Sequence, residues 1–469
     1  MTPPLWTSSD AALATGGIVT ADWVATGISI DTRTLDAGDL FIALTGPNFD
    51  GCDFIDAAFE AGASAAMVER KAALGNRPGL ITSDTREAME ALGAAARTRS
   101  HAKIAAITGS VGKTGTKDAV AHVLSAQGET SYSRSSLNNH WGVPLSAARM
   151  PSNADFAVFE IGMNHPGEIT PLVNIVRPHV AVVTAIASAH REFFDSVEGI
   201  ARAKGEIFSC IDGGIAIINR DTEYFSLLSG LAEDAGARDV VSFGRHSDAD
   251  MRLVEYLPDA TGSSIVALWQ GEPIPYRVEQ LGVHWAYNSL AVITTAEAMG
   301  ADMHRAAGDL ATLPSIPGRG AVYIVPWENG TIRLIDDSYN ANPRSMSAAL
   351  ETLGLMQPDG GRRVAIIGDM LELGDTSRDA HAHLKDHIEN NSVDTVFLAG
   401  TEMAALADKL DKARIGGAAD TADALLPAIL SGLQAGDVVT VKASNGIGLD
   451  RIVDALRKPE TSRSAASND

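Results

Sequence analysis

At 469 residues the chain is longer than one hydrophobic core usually serves, and its length suggests about three domains. A net charge of −22 without any Lys/Arg cluster excludes a nucleic-acid footprint, so an anionic ligand has to be held by a local pocket rather than by the overall field. The two cysteines, Cys52 and Cys210, lie far apart; no basic-then-apolar leader opens the chain and no apolar run is long enough to span a bilayer, so a cytoplasmic protein with no membrane insertion is expected.

A first domain is expected over residues 1–83, where strand-like runs at 27–30, 39–44 and 65–68 accompany a helix at 54–61. Two polar, turn-rich stretches, Asp31-Thr32-Arg33 and residues 45–51, read as loops at strand ends, where small-molecule contacts tend to lie. They are equally readable as plain turns.

A helix over 85–99 leads into a second domain, residues 84–317, built around the stretch 104–117. The apolar run 104–107 breaks into Gly109-Ser110-Val111-Gly112, followed by Lys113-Thr114 and a helix with Ala119, Val120, Val123 and Leu124 on one face. Strand, glycine turn, lysine, hydroxyl and helix is the order a phosphate cradle requires. Glycines let backbone amides point into one concavity, the lysine reaches the terminal phosphates from a solvent-facing turn, and Thr114 is placed to ligate Mg²⁺. Ile107 stands where strict Walker A spacing has glycine, so this is a shortened variant, and an ordinary strand-to-helix turn is the alternative.

Further along, the run 154–159 ends in Glu160, at a strand's C-terminal edge where a second metal-side carboxylate belongs. The strand candidate 180–185 runs toward His190. A helix capped by Ser196 carries Ile200, Ala203, Ile207 and Ile211 on its apolar face, with Lys204 on or beside it. A lysine forced inward is neutral and nucleophilic; a lysine at the stripe's edge would instead snorkel to water. Glu160 and His190 are also readable as surface residues. Residues 250–278 suggest an antiparallel patch on the main sheet, and a helix follows over 284–299.

The cluster Pro314-Ser315-Ile316-Pro317-Gly318 is the clearest linker in the chain. Beyond it, runs at 332–335, 364–367, 395–398 and 438–441 alternate with helical segments, which predicts a second mostly parallel α/β unit over 318–457. Residues 458–469 are rich in Ser and Ala and read as a frayed tail.

These residues carry a resemblance to the Mur ligases of peptidoglycan synthesis, over essentially the whole chain. The motifs are DTRTLDAGDLFIALTGPNFDG, TGSVGKT, NNHWGVPLSA, FEIGMNHPGEI, SAHREFF with ARAKGEI, GVHWAYNSLA, PGRG, DDSYNANPRSM, GDMLELG and VKASNGIGLD, in the family's order. The resemblance implies a three-domain α/β enzyme: an N-terminal UDP-substrate domain, a central P-loop-type ATPase domain with a mostly parallel sheet, and a Rossmann-like C-terminal domain. The SYNANP form is similar to the branch that acts at the tripeptide stage. It implies ATP-dependent joining of D-alanyl-D-alanine to UDP-N-acetylmuramoyl-tripeptide through an acyl phosphate, by a monomer. Asn342-Pro343-Arg344 is similar to the DNPR motif of the diaminopimelate-adding branch, but Ala341 precedes it in place of Asp.

By the same resemblance, the nucleotide would be held by Gly109, Ser110, Val111, Gly112, Lys113, Thr114 and Gly115, with His284 and Asn288 at the adenine and Arg319, Asp337 and Asn340 from the third domain. Thr114 and Glu160 would ligate one Mg²⁺. His190 and Lys204 would serve a second, the lysine as a carbamate. UDP-substrate contacts would come from Asp31, Thr32, Arg33, Asn48, Phe49 and Asp50, with Asn138 and Asn139. Cys52 stands where the family usually has His, and Ala443 and Asn445 replace a glycine and an arginine. Alternatives are a diaminopimelate-adding or folylpolyglutamate-type ligase, or a P-loop kinase or nucleotide-switch module.

Overall fold

The short apolar runs become strands, and the amphipathic stretches between them become the helices that cover the sheet faces. The computed structural model describes residues 4–46, 48–187 and 193–458, and the described strands form three main sheets. The first contains β1 (Ile18–Val19), β2 (Gly27–Ser29), β3 (Asp39–Ile42), β4 (Ala65–Val68) and β5 (Gly79–Ile81), in the order β1-β5-β4-β3-β2. Only the β1–β5 pair is antiparallel.

Two expectations change here. The stretch at 45–51 is not all loop: Thr45–Gly46 and Phe49–Asp50 pair as a small hairpin, because two intervening residues suffice to join antiparallel strands. The helix expected at 54–61 begins as a 3-10 turn, Gly51–Phe54, and is α-helical only over Ile55–Glu60. Asp50 causes this early start, since its carboxylate accepts the Cys52 N–H at 2.9 Å.

Helix α1 (Thr85–Arg99) is capped by Asp84, which accepts from the Arg86 and Glu87 amides. Its buried face, Ala88, Met89, Leu92 and Ala96, shares one core with Trp6, Ile28 and Leu40 of the first unit and with Leu145 and Ala148 further on. The helix therefore fastens the first sheet to the second.

The central sheet runs β7 (Thr130–Tyr132), β8 (Phe156–Glu160), β6 (Lys103–Thr108), β9 (Val180–Val183), β10 (Ile215–Asn219), β11 (Asp239–Gly244), β12 (Met251–Asp259), β13 (Gly262–Trp269) and β14 (Glu272–Val278). It is parallel from β7 to β12 and antiparallel from there to β14, so the patch expected at 250–278 is continuous with the main sheet. Both faces are covered. Along β6, Ala105 and Ile107 enter one core while Ile104 and Ala106 enter the other, all fully buried. Each isoleucine contributes roughly 1.5–3 kcal/mol by this burial. Helices α2 (Lys113–Ser125) and α5 (Val283–Ala298) pack on the first face; α3 (Gly142–Ala148) and α4 (Val197–Gly205) pack on the second.

Past the linker, the third sheet runs β15 (Ala321–Trp327), β16 (Gly330–Asp336), β20 (Val438–Lys442), β17 (Arg363–Gly368), β18 (Thr395–Ala399) and β19 (Ile415–Ala419), parallel apart from the β15–β16 hairpin. Helix α6 (Pro343–Leu355) opens with Asn342 in a capping box with Ser345. Among the described residues, no helix is long and apolar enough to cross a membrane.

Candidate active site

Strand β6 turns directly into α2, which leaves the first-turn amides of that helix without intrahelical partners. No side chain caps the helix, so those amides and the positive end of its dipole point at whatever occupies the turn. Two glycines make the turn possible. Gly109 has φ +152° and a Cβ there would lie 2.0 Å from Thr184 Oγ1; Gly112 has φ +86° and its Cβ would lie 2.7 Å from Asn288 Oδ1. The turn is moored to the end of β9: Thr184 Oγ1 donates to the Val111 carbonyl at 2.6 Å, and Ser110 Oγ to that of Ala187 at 3.0 Å.

Lys113 is half-buried and not solvent-facing, because its amine folds back over the turn and donates to the Gly109 carbonyl at 2.7 Å. Desolvation holds that amine below the ordinary lysine value, against the pull of Glu160 and with the help of Arg319.

Glu160 closes β8 at the same sheet edge and is 1% exposed, so its surface reading is excluded. Asn138 Nδ2 donates to Oε1 at 2.6 Å, while the buried Oε2 has no hydrogen-bond partner among the described residues. Such an orphaned acceptor costs about 1–3 kcal/mol, which a cation at this position would relieve. With the Thr114 hydroxyl it makes an oxygen-only donor set, the kind hard divalent cations take. No cluster of three or more His, Cys, Asp or Glu occurs among the described residues, so a cation here would need waters and phosphate oxygens to complete its shell.

Ser196 caps α4 by accepting the Gly199 N–H at 3.1 Å, and Lys204 lies near the end of that helix. At 1% exposure Lys204 does not snorkel, and among the described residues no carboxylate pairs with it. Burial first, then the charge of Lys113, holds its amine well below the ordinary lysine value. His190 lies outside the described residues, as does the tail from 459 onward.

A cavity of about 580 Å³ brings most of these groups together. Ser110, Val111, Gly112, Lys113, Thr114 and Gly115 line it with Asn138 and Glu160; His284 and Asn288 of α5 and Arg319, Asp337 and Asn340 from beyond the linker complete the wall. Gly109 does not line the cavity; its carbonyl accepts from the Lys113 amine. The Arg319 guanidinium lies 4.3 Å from the Tyr339 ring centre, and Lys442 Nζ lies 2.8 Å from both Asp337 Oδ2 and the Asn340 carbonyl.

The structure does not bring the other candidates into this cavity. Asn139 caps the start of α3, its Oδ1 accepting from Trp141 and Gly142 amides. Asp31 is paired with Arg33 at 2.6 Å, which holds its carboxyl below the usual range, and Thr32 lies between them. Asp50 is paired with Arg70 at 2.6 Å. Phe49 stacks edge-on against Trp141 at 6.1 Å, with Asn48 beside it at the exposed hairpin tip. These residues form a separate group along the first sheet, joined to the centre through Trp141. Among the family departures, Cys52 is half-buried beside Asp50, Ala443 is fully buried and Asn445 is exposed.

Sequence reasoning does not single out Tyr339, Lys442 or the fully buried Lys117. Lys442 has a readable signal: it ends an apolar strand run as Glu160 does. Tyr339 sits in a polar turn with no periodicity to mark it.

A phosphate cradle, an acid at the neighbouring strand end and a second α/β unit reaching into the same nucleotide-sized cavity define a P-loop enzyme working across an interdomain cleft. Family models agree along the chain: a Mur ligase family catalytic domain at residues 24–110, a Mur ligase middle domain at 107–296 and a Mur ligase glutamate ligase domain at 324–445. The chain belongs to the Mur ligase family. It is 34% identical over 450 residues to a UDP-N-acetylmuramoyl-tripeptide--D-alanyl-D-alanine ligase of Escherichia coli, covering 95% of this chain and 97% of that one. Among solved structures it is similar to MurF from Acinetobacter baumannii (TM-score 0.84, 28% identity, 98% and 100% covered). It is also similar to MurF ligase from Thermotoga maritima in complex with ADP (TM-score 0.77, 26% identity, 93% and 98% covered).

Proposed function

We propose that the enzyme joins D-alanyl-D-alanine to UDP-N-acetylmuramoyl-tripeptide at the expense of ATP, giving the UDP-linked pentapeptide, ADP and phosphate for peptidoglycan synthesis. The observation that carries this reading is that Lys113 and Arg319, from two α/β units on either side of a linker, face one cavity with an uncapped helix N-terminus. A carboxylate is a poor acyl donor. Its oxygen therefore attacks the γ-phosphorus of ATP, ADP leaves, and the resulting acyl phosphate is attacked by the dipeptide amine, with phosphate leaving from a tetrahedral intermediate.

The protein's contribution is positioning and charge. Lys113, the α2 amides and Arg319 stabilise the negative charge that develops on the transferring phosphoryl group. Asn138 keeps one oxygen of Glu160 occupied, and the other, with Thr114 Oγ1, would hold Mg²⁺, which would supply further charge neutralisation. His190 and Lys204 would serve a second Mg²⁺; burial, then the charge of Lys113, lowers the Lys204 amine well below the ordinary lysine value, which favours the uncharged form that adds CO₂ to give an anionic carbamate. His284 and Asn288 contact the adenine, and Asp337 and Asn340 approach from the third unit. Asp31, Thr32, Arg33, Asn48, Phe49 and Asp50 hold the UDP portion, with Asn138 and Asn139 nearer the muramoyl peptide. We place the reaction in the cytoplasm, carried out by a monomer, which light scattering at working concentration tests.

The function is tested by release of ADP and phosphate in an omission series. Stoichiometric release that requires both UDP-N-acetylmuramoyl-tripeptide and D-alanyl-D-alanine is expected. Release with a UDP-N-acetylmuramoyl-dipeptide and diaminopimelate, or without any amine acceptor, would favour the diaminopimelate-adding or kinase alternatives.

A further inference from the structure

Lys117 takes no part in the chemistry above, yet it is fully buried, which a lysine tolerates only when its charge is paired and hydrogen-bonded. It lies three residues after Thr114 and four after Lys113 on α2, hence on the same side of the helix. Its amine pairs with the Asp118 carboxylate and donates to the carbonyls of Ser133 at 2.8 Å and Ser135 at 3.4 Å. The segment it grips, residues 133–138, is otherwise irregular and includes Ser135 at φ +50°, a conformation that non-glycine residues seldom adopt. That segment touches Glu160 twice. Ser133 Oγ accepts the Glu160 N–H at 3.4 Å, and Asn138 Nδ2 donates to Glu160 Oε1 at 2.6 Å.

We propose that Lys117 is a positioning residue: by clamping residues 133–138 to the helix that carries Thr114, it sets where Glu160 stands relative to Thr114. Thr114 Oγ1 comes from the first turn of α2 and the Glu160 carboxylate from the end of β8; the β6–β8 ladder sets Glu160 opposite Ile107 but does not by itself fix the separation of the two side-chain oxygens to the roughly 0.2 Å that a metal site requires. The clamp does. This inference rests on the Mg²⁺-nucleotide reading of the cavity. It predicts that loss of Lys117 harms the metal-dependent part of nucleotide binding and spares the part made by the cradle alone.

The test is calorimetric titration of ADP into the full chain, once with excess Mg²⁺ and once with EDTA, for wild type and Lys117→Met. The ratio of the two dissociation constants reports the metal's contribution. In Lys117→Met that ratio should fall at least about tenfold while metal-free ADP binding changes less than about twofold. An unchanged ratio, or equal weakening with and without metal, overturns the clamp. The double variant Lys117→Met/Asp118→Asn removes the carboxylate charge left behind; recovery of the wild-type ratio there would assign the effect to that charge and overturn the clamp as well. Should Lys117→Met not fold, Ser133→Ala/Asn138→Leu removes both contacts of the segment with Glu160 while leaving Lys117 in place, and a wild-type ratio in that variant is contradictory. Wild type binding ADP no more tightly with Mg²⁺ would instead defeat the underlying reading of the cavity, an outcome distinct from variants that keep a dependence wild type shows.

Discussion

Ser136 Oγ and Tyr339 OH lie 2.5 Å apart, one at the edge of the central sheet and the other just past the linker, so this hydrogen bond joins the two walls of the cavity. Tyr339→Phe keeps the ring beneath Arg319 and removes only this bond. It should weaken closure of the third unit by about 0.5–1.5 kcal/mol, seen as a larger radius of gyration in the ligand-free variant than in wild type, and narrowed by ATP with the UDP substrate. Identical scattering of wild type and variant in both states would count against a hinge at the linker.

Removing the cradle lysine tests the phosphate chemistry. Lys113→Ala should fold, since the lost contact is one bond to the Gly109 carbonyl, but should release ADP and phosphate about 10²–10³ times more slowly through loss of charge stabilisation. Near-normal turnover would sink the assignment.

Lys204 offers a test by rescue. If its carbamate holds a metal, Lys204→Ala loses most activity without losing the fold, and acetate or formate filling the vacated space restores part of it. Initial rates across a carboxylate titration at constant ionic strength decide this, since general screening is then held fixed. Full activity in the unsupplemented variant would refute the ligand role.

His179 predicts an acid limit. Its Nδ1 accepts the Ile104 N–H at 2.9 Å, at the start of the nucleotide strand, so the ring is neutral there. Burial foremost, then Arg97 and Lys103, lowers its pKa from 6.5. The unfolded chain therefore takes up the proton first, and the stability this group supplies is present above about pH 6.5 and lost as pH falls through the lowered folded value. His179→Gln, which keeps an acceptor without a titration, should show a shallower fall in melting temperature below neutral pH; parallel curves would contradict this.

Parallel strands made of continuous apolar runs are legible, 104–107, 364–367 and 438–441 all lying within observed strands, whereas β7, β10 and β11 of the central sheet are not singled out. β15 escapes because its alternation is broken by a proline and a tryptophan, and β19, Ile-Gly-Gly-Ala-Ala, has too little apolar surface to mark it. In the site, the cradle and Glu160 are legible because each sits where a strand run stops. Lys117 is not, since a helical lysine ordinarily reaches water, and only tertiary placement of the 133–138 segment buries it. Asn139 shows the converse, a motif residue whose side chain turns out to cap a helix.

The central claim is that the peptide carboxylate is activated as an acyl phosphate in the cavity shared by Lys113 and Arg319. Labelling that carboxylate of the UDP-N-acetylmuramoyl-tripeptide with ¹⁸O and analysing the released phosphate by mass spectrometry tests it directly. The account predicts that each phosphate carries one oxygen from the carboxylate. Phosphate free of label, with the pentapeptide still formed, would contradict it.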